Sequence, residues 1–468
     1  MIKVYVWKPI VVGLCLVMLV GCLFSGKQSN SGSSVKNPKT SLQAGGSEDA
    51  IVNRIIYYRT HIENTLPFQV LWEAVVPNEQ ITRLSLHENF LYAETATPKL
   101  YSIQTDLGLR KWELILDAPI DFPLAPISGY PKKEMSVREQ ITKVTKDIAD
   151  EEKKRDSDPE RLKKLREDLY SYKEGLKNLS LLDFIYFIAK GKLYCIDRYK
   201  GRIIWEAELD FVPITAPLPT LSIVYIGAME RRRIYQFECA KRFAPNWFKI
   251  VGDITADPIY EEPSLYIADD TGRIYSFNTM ERNERWQYRT ERAIKAEIVL
   301  DGDTIYVGST DGALYAVNKY TGVLSWKYEA GNPITAKCNI GTRTVVKDNA
   351  SYVEQTVYVR IDNDALYAIL IEHASLKDKA GTEITFARPK LRWKLPEAKT
   401  FLMYGAGQAY ILGMDNQTLY AVNIDTGAIK AKYSLEKFPF RAIDPKNGII
   451  YLCSNDGYIM AVKEQLAK

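Results

Sequence analysis

The residues of this chain that could carry out chemistry are few and scattered. Its three histidines, His61, His87 and His373, stand too far apart for any two to form a spaced metal-binding pair. Its six cysteines are Cys15, Cys22, Cys195, Cys239, Cys338 and Cys453; no two are adjacent, and no Cys-x-x-Cys-His haem site occurs. A Gly-x-Ser-x-Gly elbow and a glycine-rich phosphate loop are also missing. Acidic residues recur at turns such as Thr310-Asp311-Gly312 and Asn455-Asp456-Gly457, where hairpin geometry explains them without a catalyst. His87 and His373 fall in or beside loops and read as surface residues. The expectation is therefore no catalytic residue, no metal and no cofactor. The net charge is only +4, and two of the positive residues are Lys3 and Lys8 near the N-terminus. No basic stripe of the kind that holds nucleic acid is present.

What dominates the sequence is a repeated part. In Leu314-Tyr-Ala-Val-Asn-Lys-Tyr-Thr-Gly-Val-Leu-Ser-Trp326, alternating residues fall on opposite sides of an extended chain. Thr321-Gly322 supplies the turn, since glycine accepts positive φ cheaply, and the apolar pattern then resumes as a second strand. Related hairpins begin at Leu100, Leu193, Ile234, Ile274, Leu366, Leu419 and Ile459, most of them about forty residues apart, a propeller-blade period. The copy at Ile234 is one residue longer, the copy at Leu366 reaches its tryptophan late through a long polar turn, and the copy at Leu419 carries Gly427 in its turn and Ala431 in the tryptophan slot. A further strand precedes each hairpin, marked by Tyr92, Tyr186, Tyr225, Tyr266, Tyr306, Tyr358, Tyr410 and Tyr451. Earlier still comes Pro-Ile-Thr-Ala or a relative, so each unit offers about four short strands, one propeller blade.

Tryptophans end these hairpins at Trp112, Trp205, Trp247, Trp286, Trp326 and Trp393. The eighth hairpin has no room for its last strand before Lys468, and the strand around Trp72 fits the vacancy. The expected fold is therefore all-β, an eight-bladed propeller of four-stranded blades over residues 51–468, closed by a blade shared between the termini, which leaves no free sheet edge. Residues 51–66 lead into Trp72 and read equally as a short helix or a strand. Cys195 takes a small-residue slot of the repeat and Cys453 a glycine slot, so the cysteines read as buried thiols in different blades rather than a disulfide framework.

Ala316-Val-Asn-Lys-Tyr-Thr-Gly-Val-Leu-Ser-Trp326 and its copy ending at Trp205 resemble the repeat of the pyrroloquinoline-quinone-like β-propellers. The resemblance covers nearly all of the chain after about residue 65. Two branches share it: quinoprotein dehydrogenases, and non-catalytic lipoproteins of the type of the outer-membrane assembly factor BamB. The dehydrogenase branch implies a calcium ion held by oxygen ligands, a carboxylate base and, in its alcohol-oxidising members, adjacent cysteines. This chain lacks the cysteine pair and is short for such an enzyme.

The N-terminus bears on that choice. Residues 1–21 have a lysine-bearing start and a short apolar run, the pattern of a secretory signal. Leu19-Val20-Gly21-Cys22 resembles a bacterial lipobox, which implies lipidation at Cys22. Leu23 rather than aspartate after it points, by resemblance to enteric sorting rules, to the outer membrane. Residues 22–50 are rich in Ser, Gly, Asn and Lys and read as a flexible tether.

One insertion breaks the repeat. Residues 130–180 are about half charged. Val137, Ile141, Val144 and Ile148, then Leu162, Leu165, Leu169, Tyr172, Leu176 and Leu179, form stripes at helical spacing. Asp158-Pro159 suits the start of the second helix. The expectation is an antiparallel, coiled-coil-like helical hairpin between the first two strands of the second blade, either a solvated decoration or a docking arm. The whole chain thus reads as a non-catalytic, lipid-anchored envelope scaffold facing the periplasm. Its expected partners are envelope proteins, with outer-membrane β-barrel assembly as the specific role. A quinoprotein dehydrogenase and a glycan-sensing propeller are the alternatives.

Overall fold

In the computed structural model, residues 48–468 are described, apart from 78, 129–130, 155–157, 181–182, 221, 230–231, 241, 348–349, 378–382 and 466–468. Cys22, the signal and all but the end of the tether lie outside the described residues. The strands form eight four-stranded sheets, each antiparallel and each built from consecutive strands but one. Blade 1 spans Ile81–Ile115, blade 2 Ala125–Glu208, blade 3 Leu218–Lys249 and blade 4 Ile259–Arg289. Blade 5 spans Val299–Glu329, blade 6 Asn339–Leu395 and blade 7 Ala398–Ser434. Blade 8 takes three strands from Phe440–Glu464 and its outer strand, Phe68–Val75, from the other end of the chain.

A single cross-strand column organises seven of the eight blades. Tyr306 pairs with Ala316, and Ala316 with Trp326. The same tyrosine, small residue and tryptophan recur as Tyr92–Ser102–Trp112, Tyr186–Cys195–Trp205, Tyr266–Ser276–Trp286 and Tyr358–Ala368–Trp393. Tyr451–Ala461–Trp72 completes it across the chain closure, and Tyr410–Ala421–Ala431 lacks the indole. A small middle residue is required because the large flanking rings close over it.

The turn that follows each column explains the Thr-Gly of the repeat. Asn318 Oδ1 accepts the backbone N–H groups of Tyr320 and Thr321 at 3.0 Å each, an Asx turn that leads into Gly322 at φ +70°. The indole of Trp286, from the preceding blade, lies flat on that glycine and donates Nε1–H to Lys319 O at 3.1 Å. Trp393 does the same over Gly427 with Ile424 O at 2.7 Å, Trp112 over Gly201 with Arg198 O at 2.8 Å, and Trp72 over Gly108 with Thr105 O at 2.7 Å. Each of these four tryptophans thus locks its blade to the next. A Cβ on Gly322 would sit 2.6 Å from the Trp286 ring in a backbone region that L-residues avoid. Gly322→Ala is expected to lower stability by about 2–4 kcal/mol. Urea unfolding measures it, and a change below about 0.5 kcal/mol, the scale of an ordinary surface substitution, would mean that the ring yields freely.

Trp247 departs from the column. Blade 3 pairs Tyr225 with Gln236 and Gln236 with Asn246, so the tryptophan stands one position late. The extra residue of this hairpin is absorbed as an irregularity between Gln236 and Glu238, and a one-residue slip turns a side chain to the other face of a sheet. Trp247 is consequently 45% exposed, and no glycine turn receives it.

The segment before blade 8's outer strand is a helix, α1 (Glu48–Thr65), which begins inside the stretch that reads as tether. Its Tyr58 and Ile62 pack between blades 7 and 8 with Phe68, Phe438, Tyr458 and Met460. Arg54 and Tyr58 both reach Asp456 in the turn of blade 8, at 3.1 and 2.9 Å.

Candidate interaction site

Two blades carry large additions. In blade 2 the chain leaves the first strand at Ile127 and returns at Phe184; between them stand α2 (Pro131–Glu152) and α3 (Pro159–Ser180), which pack against each other. Val137, Ile141, Val144 and Ile148 on α2 and Leu162, Leu165, Leu169 and Tyr172 on α3 are half-buried, as a two-helix seam requires; the side chains of Leu176 and Leu179 lie outside the described ones. Asp158 caps α3 by accepting from Glu160 N at 2.9 Å. Each helix has 22 residues and so reaches about 33 Å.

In blade 6 the addition is a sheet. The sequence suggests a long polar turn after Leu370, but Leu366–Lys377 and Glu383–Leu395 continue as paired strands. The first two strands lengthen with them, to Lys347 opposite Ala350, whereas blade 5 closes at Asp301 opposite Thr304. The whole blade therefore rises about 20 Å beyond the common turn level. Turns between first and second strands and between third and fourth strands lie at one end of every blade, so both additions leave the same face of the ring. Blades 2 and 6 are four apart in a ring of eight and stand across the central axis from each other.

Both additions are rooted in arginine clusters, buried in blade 2 and half-buried in blade 6. Arg198, 1% exposed, lies in the outer turn of blade 2. Its guanidinium donates to Ser128 Oγ at 2.6 Å and to Glu88 Oε2 of blade 1 at 2.9 Å, and stacks over Phe90. Its backbone N–H donates to Asp183 O at 3.2 Å, and Tyr199 Oη donates to Asp183 Oδ2 at 3.0 Å. Ser128 and Asp183 flank the helical hairpin, so one side chain and its turn tie both of its ends to two blades. Burial opposes ionisation of Glu88, yet the Arg198 charge holds its carboxyl below the usual range. His87 belongs to this joint rather than to open surface: burial, reinforced by Arg198, pushes its imidazole down to about 4.

At the root of blade 6, Glu354 accepts from Arg343 Nε at 2.6 Å and from Arg392 at 2.9 and 2.7 Å, one bond to each carboxylate oxygen from the latter. Arg343 continues to Asp425 of blade 7 at 2.6 Å. Burial disfavours the Glu354 carboxylate, but the two guanidinia outweigh it and hold its pKa below the ordinary value. Arg343 is raised for the complementary reason, its hydrogen bonds to Glu354 and Asp425 exceeding the cost of burial.

The remaining reactive groups do not converge. His61 lies on α1 and His373 is exposed on a strand of blade 6. Cys195, Cys338 and Cys453 are buried, Cys239 is half-buried, and all four are free thiols. Burial pushes the Cys195 and Cys338 thiols up to about 12 each. Glu94, between blades 1 and 2, is pushed up to about 7 by burial although Arg83 lies 3.2 Å away. No group of three or more His, Cys, Asp or Glu side chains arranged to hold a metal occurs among the described residues.

Eight four-stranded blades, four of their joints locked indole to turn, with the repeat that ends in tryptophan, define the class: a β-propeller of pyrroloquinoline-quinone-like repeats. The sequence pattern of the family described as outer membrane protein assembly factor BamB matches residues 189–465, more than half of the chain, and the chain belongs to that family. Among solved structures, BamB from Moraxella catarrhalis aligns over 86% of this chain and 88% of its own, at 13% identity and a TM-score of 0.40. The computationally designed Ika8 protein aligns over 84% of this chain and 99% of its own, at 12% identity and 0.48. Sqt1 of Saccharomyces cerevisiae aligns over 66% and 72%, at 10% identity and 0.41. No curated protein matches the sequence.

Proposed function

We propose that this chain is a non-catalytic scaffold of the bacterial cell envelope, tethered through a lipid on Cys22, that holds proteins of outer-membrane β-barrel assembly against the face bearing the two additions. The observation that carries the reading is the pair of additions themselves. Both leave one face, both are anchored by arginine clusters, and they stand across the ring from each other, which suits a rigid two-sided grip on a partner. Family membership supports the assembly role. The lipobox-like Leu19-Val20-Gly21-Cys22 supports the anchor, and Leu23 supports the outer membrane.

The test is a crosslinked pull-down from membranes, read by mass spectrometry, with the full-length protein and a form lacking residues 130–180. Recovery of a barrel-assembly protein by the full chain, reduced at least tenfold by the deletion, is expected. Recovery of bulk porins alone by both forms would remove the assembly role. Equal recovery of the specific partner by both forms would remove the helical hairpin from the contact.

A further inference from the structure

The end of the ring opposite the two additions carries a charge pattern that the fold does not need. At the last cross-strand pair of the outer hairpin, blade 2 sets Lys192 opposite Glu208, an ion pair of 3.2 Å. Blade 5 sets Ala313 opposite Glu329, and Glu329 is 3.1 Å from Lys327. Blades 3 and 4, between them, set Arg233 opposite Lys249 and Arg273 opposite Arg289. Like charges directly opposite destabilise a sheet. None of these four has an ion-pair partner among the described residues.

The displaced tryptophan belongs to this corner. The Arg233 guanidinium lies 4.2 Å above the Trp247 ring, holding a half-exposed indole in place. Val251, 48% exposed, bridges the two blades by donating its N–H to Tyr275 Oη at 3.0 Å. An ordered indole, an exposed aliphatic side chain and four uncompensated cations make a surface whose missing complement is acidic with interspersed apolar groups. Its neutralised neighbours, blades 2 and 5, limit it to two blades' width. That suits a single segment of chain better than a membrane plane or a duplex.

We infer that the outer corner of blades 3 and 4, formed by Arg233, Trp247, Lys249, Val251, Arg273 and Arg289, is a second docking site. It takes an acidic, apolar-interspersed segment of a partner protein. The inference rests on the scaffold reading but uses the opposite end of the ring.

The test uses purified full-length protein and fluorescence anisotropy with a labelled peptide of three Asp-Leu-Glu-Phe repeats, against its amide counterpart of three Asn-Leu-Gln-Phe repeats. The acidic peptide is expected to bind at least tenfold more tightly and to weaken as salt rises. The double variant Arg233→Glu/Arg289→Glu is expected to lose tenfold or more in affinity while its Tm rises, because each repulsive pair becomes an attractive one. Trp247→Ala is expected to lose severalfold, and Lys446→Glu on blade 8 nothing. Equal binding of the two peptides, or a double variant that binds normally, would overturn the site. A fall in Tm would show instead that the charges serve the fold. Sedimentation with phosphatidylglycerol vesicles without peptide binding would reassign the corner to lipid and equally overturn it. Because the peptide is added to purified protein, its failure leaves the membrane pull-down unaffected, and failure of the pull-down leaves this binding measurable.

Discussion

Replacing Glu354 with glutamine is expected to cost about 3–5 kcal/mol of stability. Arg392 and Glu354 are both about 10% exposed as side chains, and Arg343 is 23% exposed. The Glu354 carboxylate lies between the two guanidinia and contacts both closely, whereas Asp425 reaches Arg343 closely but Arg392 only at 3.9 Å. Glutamine keeps the shape and one acceptor but leaves two partly desolvated cations facing each other. The effect is also written in pH. Because the folded state holds Glu354 below its ordinary 4.5, its contribution is complete above that value and is lost as pH falls through the lower, folded pKa. Urea unfolding from pH 7 down to pH 3 should show an acid-sensitive limb in the parent that is flatter in Glu354→Gln. A loss below about 1 kcal/mol with the acid limb unchanged would mean the cluster is incidental.

The joint under the helical hairpin is expected to respond unequally to loss of its two halves. Glu88→Gln strands the Arg198 guanidinium, 1% exposed, without a counter-charge, and should cost about 3 kcal/mol. Arg198→Met leaves Glu88, whose side chain is 43% exposed and can take water instead, and should cost only about 1–2 kcal/mol for the lost hydrogen bonds. The methionine variant should nevertheless speed amide exchange at the roots of α2 and α3, since Ser128 loses its tie, while the two helices keep each other's seam. If Arg198→Met proved the costlier of the two, desolvation would not govern the joint, and the guanidinium would act mainly through packing over Phe90.

These two joints show where reading the sequence reaches its end. The alternation in Leu314–Trp326 and its copies is local, so strands, turns and blade number were legible, as was the split closure through Trp72. The helical hairpin was legible for the same reason, from stripes at spacing three and four. The lengthening of blade 6 escapes this reading, although a signal lies in the alternating β-branched residues Thr342, Thr344 and Val346 and in Val353 and Val357. The polar residues between masked it as a turn. Trp247 fits the repeat by residue type, while the extra residue that turns it outward is visible in the sequence but its consequence is not.

Local sequence suffices for the repeated unit: a tyrosine, a small residue and a tryptophan in one column, an Asx turn ending in Gly322 or Gly427, and therefore a ring of eight. These depend on neighbours along one chain segment and on the period of two that a strand imposes. Closure of the ring adds what no segment holds: blades 2 and 6 raise their additions on the same face, Arg198 meets Glu88 across 110 residues, Arg343 meets Asp425 across 82, and Trp247 turns outward under the Arg233 guanidinium. Charge pairing between blades is set by which turns the closed ring brings together, and no local periodicity encodes that. An arginine in a turn looks the same in sequence whether it ends in water or in the joint beneath a helical hairpin.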